Sequence, residues 1–164
     1  MKAHRTTATE EKEQLTDLYR ELVLDHAQSP RNFRRSDGAT HAADGINPLC
    51  GDKLHLYVTL DESMHVRDIS FEGSGCAISI ASASLMTTAV RDLSITDALA
   101  CADTVAGRLT GQDVSEKSPT SRQLAKIRAL DGVRQYPSRV KCATLPWRAL
   151  QAALNRSASP ATTE

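Results

Sequence analysis

Three cysteines, far apart in the chain and each in a prepared local setting, constrain this sequence more than any other feature. Cys50 lies in Asn47-Pro48-Leu49-Cys50-Gly51-Asp52, Cys76 follows Gly73-Ser74-Gly75, and Cys142 follows Arg139-Val140-Lys141. If the chain folds so that these places meet, three sulfurs and the Asp52 carboxylate surround one metal ion. No Cys-x-x-Cys pair brings two ligands together locally, so tertiary structure has to do it. Taken one at a time, each cysteine fits a small buried hydrophobe equally well.

Formal net charge is zero, with 20 basic and 20 acidic side chains. Nucleic-acid and membrane-surface binders need a surplus of positive charge, so neither partner is expected. No apolar run reaches the roughly 18 residues needed to span a bilayer, and Met1 to Thr9 contains no apolar signal segment. A cytoplasmic location is expected. Four cysteines in a reducing compartment are better used for metal binding or thiol chemistry than for disulfides.

The 164 residues suit one domain, 10–155, between disordered tails at 1–9 and 156–164. Thr9 and the acids Glu10, Glu11 and Glu13 start a helix. Leu15, Leu18, Leu22 and Val23 continue it at helical spacing as far as Ser29-Pro30, so 10–28 is predicted helical. A long connection follows over 30–49, with a short edge strand around Thr40–Asp44. Leu54, Leu56, Val58 and Leu60 alternate with polar residues and predict a half-buried strand. After the turn at Asp61–Met64, Val66, Ile69 and Phe71 predict a second strand, with a phase break near Arg67-Asp68. The two make an antiparallel hairpin.

Ala77 to Arg91 is rich in small and apolar residues and predicts a largely buried helix. Ser94 is the N-cap of the next helix, with Asp97 in the capping-box position, and the helix stops at Gly111. Residues 111–138 are polar, with one short helical pattern near Thr120–Leu130 closed by Asp131-Gly132. A final helix begins at or before Cys142 and runs to about Asn155. Pro146 fits best in its first turn, leaving Cys142 in the loop just ahead. The order, helix then strands then helices, predicts an α+β fold: a small antiparallel sheet of two or three strands packed against helices.

The chemistry follows from the settings. Cys76 opens a helix, whose N-terminus favours a thiolate, and the same reasoning extends to Cys142. Three thiolates and a carboxylate carry −4, and a divalent ion leaves −2. Arg139 and Lys141 stand beside Cys142 to offset the remainder. Tetrahedral zinc accepts such a set. An iron–sulfur cluster also accepts thiolates, held less securely where one ligand is a carboxylate.

The segments Asn47–Asp52, Gly73–Ser84 and Arg139–Trp147, in that order, resemble the IscU/NifU-like iron–sulfur assembly proteins. The SufU branch is the most similar, and His26 to Asn32 also fits the family. The resemblance covers about residues 15–155. It implies a SufE/IscU-like fold and makes Cys50, Cys76 and Cys142 the functional cysteines, with Asp52 as the fourth zinc ligand. It also implies that the polar stretch 111–138 is a SufU-type insertion. The scaffold branch carries histidine directly before its last cysteine, whereas this chain has Lys141. That departure favours a sulfurtransferase-like carrier over a scaffold for a nascent Fe–S cluster. The implied role is to take persulfide sulfur from a SufS-like cysteine desulfurase, as its co-substrate, and pass it to downstream Fe–S assembly proteins. Cys50, on a glycine-flanked loop, is then the catalytic thiol.

The remaining candidates read as structural. Cys101, in register with Ala98 and Val105, belongs to a core face. His26 caps or hydrogen-bonds within the core, His55 and His65 lie on strand surfaces, and His41 lies in a loop. Trp147 anchors the last helix in the core.

Overall fold

The structure is a computed structural model that describes residues 19–112 and 127–163. The expected N-terminal tail, the start of the first helix and half of the polar stretch lie outside the described residues.

Helix α1 occupies 19–28 and ends at Ser29-Pro30. Strand β1 (His41–Asn47) is longer than the expected edge strand and pairs antiparallel with β2 (Asp52–Leu60), which pairs antiparallel with β3 (Val66–Ser74). In β2, Leu54, Leu56, Val58 and Leu60 are buried while the intervening residues are partly exposed, as the period of two requires. The phase break in β3 is a bulge: Thr59 pairs with Asp68 but Leu60 pairs with Val66, which leaves Arg67 unpaired.

The sheet is larger than expected and mixed, in the order β3-β2-β1-β4. Strand β4 (Ala161–Thr162) lies in the segment expected to be a disordered tail and runs parallel to β1. Its two residues carry no strand pattern of their own, and β1 supplies their partners. At the opposite edge, Arg34 N–H donates to the Phe71 carbonyl and Phe71 N–H donates to the Asn32 carbonyl, at 2.9 and 3.0 Å. Each edge is thus covered over a short stretch, at Phe71 on β3 and at Gly45–Ile46 on β1.

Helices cover one face of the sheet. Helix α2 (Ala77–Val90) is buried over most of its surface. Helix α3 (Ile95–Leu109) starts at Ser94, whose hydroxyl accepts from Asp97 N–H at 3.1 Å. A 3-10 segment, Arg128–Gln135, runs through Asp131-Gly132 instead of closing there. Helix α4 (Pro137–Leu154) crosses β1 and β2 and packs against α2 and α3.

The start of α4 corrects the expected one. Pro137, not Pro146, occupies the first turn, so Cys142 lies inside the helix and Pro146 in its interior. A proline at N1 sacrifices only an N–H that has no helical partner, and that favours Pro137. Pro146 removes the bond that would otherwise reach the Cys142 carbonyl. Helix α2 bonds to α4 beside this gap. The Ser82 hydroxyl on α2 donates to the Ala143 carbonyl at 2.5 Å, and Trp147 Nε1 donates to Ser82 Oγ at 3.1 Å.

Trp147, Phe71, Leu56, Ile69 and Leu85 fill the core with almost no exposure. His26 joins it through Nδ1 and Ser84 Oγ, 2.7 Å apart, as expected for a core hydrogen bond. Cys101 is fully buried, and burial pushes its thiol up to about 12, which removes it from thiol chemistry at neutral pH. Replacing Trp147 with Ala should cost about 3–5 kcal/mol of stability, because it opens a cavity and strands Ser82. Urea unfolding of both proteins measures this.

Candidate metal centre

The hairpin between β1 and β2 fixes the first two groups. Asn47 and Asp52 are cross-strand partners, so the connecting loop is Pro48 to Gly51, and Cys50 rides on it. Gly51 has φ +68, a left-handed conformation that glycine adopts without steric cost. Asp52 is the first residue of β2 and is only 1% exposed, whereas Cys50 is half-buried.

Cys76 follows β3 and is the N-cap of α2. Its backbone N–H donates to Asp52 Oδ1 at 2.8 Å, so the carboxylate sits against the positive end of the helix. Ser79 Oγ lies 3.4 Å from the same oxygen. Asn47 Nδ2 donates to Asp52 Oδ2 at 3.0 Å. Gly75 makes this approach possible. A Cβ at that position would lie 2.4 Å from Asp52 Oδ1 and 2.8 Å from Ser79 Oγ.

Cys142 comes from the second turn of α4 and is fully buried. Cys50, Asp52 and Cys142 each bring a ligand atom to within 4.8 Å of the others. Ligand atoms 2.0–2.3 Å from a tetrahedral zinc stand on the order of 3.5 Å apart, so this spacing and donor chemistry fit a borderline divalent ion. Cys76 stands just outside this compact trio but close enough to help raise the Cys142 thiol.

The expected helix-start effect does not operate at Cys142, which lies beyond the free N–H groups of α4. Burial comes first, then hydrogen bonds with Cys50, Asp52 and Cys76, and together they push its thiol well above the usual cysteine range. Binding a cation there therefore displaces a proton.

The two basic neighbours part company. Arg139 lies beside Cys142 and Cys76, and the sulfurs together raise its guanidinium above the ordinary arginine value. Lys141 lines a different cleft, with Arg134, Thr144 and Arg148. His41 sits at the far end of β1 from the site, His55 pairs with Asp44 on the outer face of the hairpin, and His65 is exposed. Asn47, Gly75 and Ser79 join the site without having been expected there. Their only sequence signal is proximity to the cysteine motifs.

Among the described residues, no helix is long and apolar enough to cross a membrane. Residues 18–143 match the family described as NifU-like N-terminal domain. The chain is 41% identical over 145 residues to the iron–sulfur cluster assembly scaffold protein IscU of Streptococcus pyogenes serotype M1, covering 88% of this chain and 87% of that protein. It is 40% identical over 137 residues to the zinc-dependent sulfurtransferase SufU of Bacillus subtilis, covering 84% and 89%. A crystal structure described as a putative iron–sulfur cluster assembly scaffold protein for the SUF system, from Fervidobacterium islandicum AW-1, superposes with a TM-score of 0.74 at 31% identity. That match covers 82% of this chain and 94% of the other.

A Gly75→Ala protein should fold but hold a divalent ion more weakly, because the added methyl displaces the Asp52 carboxylate. Competition with a chromophoric chelator measures the loss, on the order of ten-fold for a disturbed ligand contact.

Proposed function

We propose that this chain, which belongs to the NifU-like N-terminal domain family, is a zinc-holding sulfur acceptor in iron–sulfur cluster assembly. The observation that carries the reading is the inequality between Cys50 and the other members of the compact trio. Cys50 is half-buried on a four-residue loop, while Asp52 and Cys142 are sealed in the fold. A transferring thiol has to meet a partner, and its co-ligands have to stay behind.

Cys50, Asp52, Cys76 and Cys142 are the proposed zinc ligands, with Cys76 completing the set by rotation of its half-buried side chain. Bound zinc supplies a Lewis acid that keeps thiols deprotonated at neutral pH. Arg139 offsets part of the residual negative charge. The proposed sulfur donor is a cysteine desulfurase carrying a persulfide. The Cys50 thiolate would attack the outer sulfur of that persulfide. A new S–S bond forms at Cys50, the old one breaks, and the desulfurase cysteine departs as a thiolate. The exchange involves no net oxidation. Asp52 remains as the anchor, held by donors from β1 and α2. The sulfur then passes to downstream assembly proteins. The four unpaired thiols suit the reducing cytoplasm, where we place the protein.

The alternative is a scaffold that builds and releases a cluster, in keeping with the description of the Streptococcus relative. Lys141 directly before Cys142, unable to replace an imidazole ligand and turned toward another cleft, argues against it. Purified protein that is colourless with one zinc supports the sulfur acceptor; brown protein with iron and sulfide supports the scaffold.

The decisive experiment mixes the protein with a cysteine desulfurase and cysteine and follows sulfide production. The native chain should stimulate turnover, and Cys50→Ser should abolish the stimulation. Full stimulation by Cys50→Ser would remove Cys50 from the transfer step.

A further inference from the structure

Asn47 is neither a proposed ligand nor a sulfur carrier, yet its side chain is tied tightly into the site. It is fully buried. Its single NH2 group faces two of the proposed ligands on two different elements: Asp52 Oδ2 on β2 at 3.0 Å and Cys142 Sγ on α4 at 3.5 Å. An amide NH2 has two hydrogens, so both are committed. Its carbonyl oxygen Oδ1 is buried without a hydrogen-bond partner among the described residues. A buried unpaired acceptor is destabilising. Turning the amide over would give no relief, because it would place a carbonyl oxygen 3.0 Å from the carboxylate oxygen that now accepts its bond. The orphaned Oδ1 is the consequence of aiming both donors at the ligands.

We infer that Asn47 is a positioning residue for the metal ligands, clamping the Asp52 carboxylate and the Cys142 sulfur into one fixed arrangement. The inference rests on the metal-centre reading given above. The backbone places Asn47 for this task, since it is the cross-strand partner of Asp52 at the last rung of the β1–β2 ladder. Side chains of such partners stand about 5 Å apart on one face of the sheet. With Cys76 N–H on Oδ1 and Asn47 on Oδ2, the carboxylate cannot rotate without losing two bonds. Oδ2, which accepts from Asn47, still has a lone pair for a metal ion. The contact to Cys142 ties the ladder to α4. The clamp does not involve Cys50, so it persists when that thiol departs.

The test uses the full chain, zinc and cobalt(II) as probes, and the variants Asn47→Ala and Asn47→Ser. Chelator competition gives the zinc Kd, the visible absorption of the cobalt(II) form reports ligand geometry, and circular dichroism with thermal melting of the metal-free proteins reports the fold. Asn47→Ala should weaken zinc about 10–100-fold, the loss typical of removing a group that orients a metal ligand, and alter the cobalt(II) bands. Asn47→Ser, which keeps one donor, should fall between it and the native chain. A folded Asn47→Ala protein with native Kd and native cobalt(II) bands overturns the inference. So does loss of the metal-free fold in both variants, which would assign Asn47 to folding. A native chain that takes up neither ion overturns the metal-centre reading itself.

Discussion

A buried carboxylate organises this end of the molecule. Removing a charge from water is costly unless hydrogen bonds replace the solvent, and Asp52 is almost completely enclosed. The replacements come from separate parts of the chain: the Asn47 amide at the end of β1, the Cys76 N–H and the Ser79 hydroxyl at the start of α2. Each contact can form only if the β1–β2 hairpin is in register and β3 delivers α2 to the right place. Gly75 is part of the same requirement, since any side chain there would occupy the space of the carboxylate. Satisfying Asp52 thus brings Cys50 and Cys76 to one point as a by-product. Helix α4 adds Cys142 by crossing the sheet beside them.

The helix that carries Cys142 is anchored deep in the core rather than at the site. Trp147 and Ser82 bind α4 to α2 by a chain of two hydrogen bonds at the place where Pro146 interrupts the helix. Cys142 sits one turn before that interruption. Its position is therefore referenced to α2, the same helix whose N-terminus receives Asp52. Two ligands from distant parts of the sequence are thus located relative to one rigid element, and only Cys50 depends on a loop.

Much of this was legible where the cause is local. Alternation in Leu54 to Leu60 gives a strand, Ser94 with Asp97 gives a helix start, and the break at Arg67 gives a bulge. The settings of Cys50, Asp52, Cys76 and Cys142 point to one shared site; the fold gathers Cys50, Asp52 and Cys142 and leaves Cys76 just outside them. The features that escaped depend on partners that no local pattern names. Ala161–Thr162 is a strand only because β1 offers an open edge. The sequence presents two prolines, Pro137 and Pro146, either of which suits a first turn, and tertiary packing decides between them. Lys141 and Arg139 flank Cys142 similarly in sequence, yet helical geometry sends Lys141 to another cleft. Asn47 looked like the edge of a motif because its role is set across a strand pair.

The separation between fixed and movable groups also bears on specificity among metals. A soft site of three free thiols could reorganise around larger or more thiophilic ions, since each sulfur would follow the metal. Here the Asp52 oxygen is immobilised before any ion arrives, and Cys142 shares its clamp. A metal entering the site must accept a hard ligand at a set position, with sulfurs completing the shell. Zinc, which tolerates mixed oxygen and sulfur ligands in tetrahedral geometry, meets that demand better than copper(I), which prefers soft ligands. Under the sulfur transfer proposed above, the same rigidity limits what can change. If Asp52 and Cys142 cannot follow a departing ligand, the movement falls to the Pro48–Gly51 loop. Gly51 lies at its C-terminal end in a conformation that glycine holds without strain. Cys50 is then both the residue with the freedom to leave and the one that the loop can return.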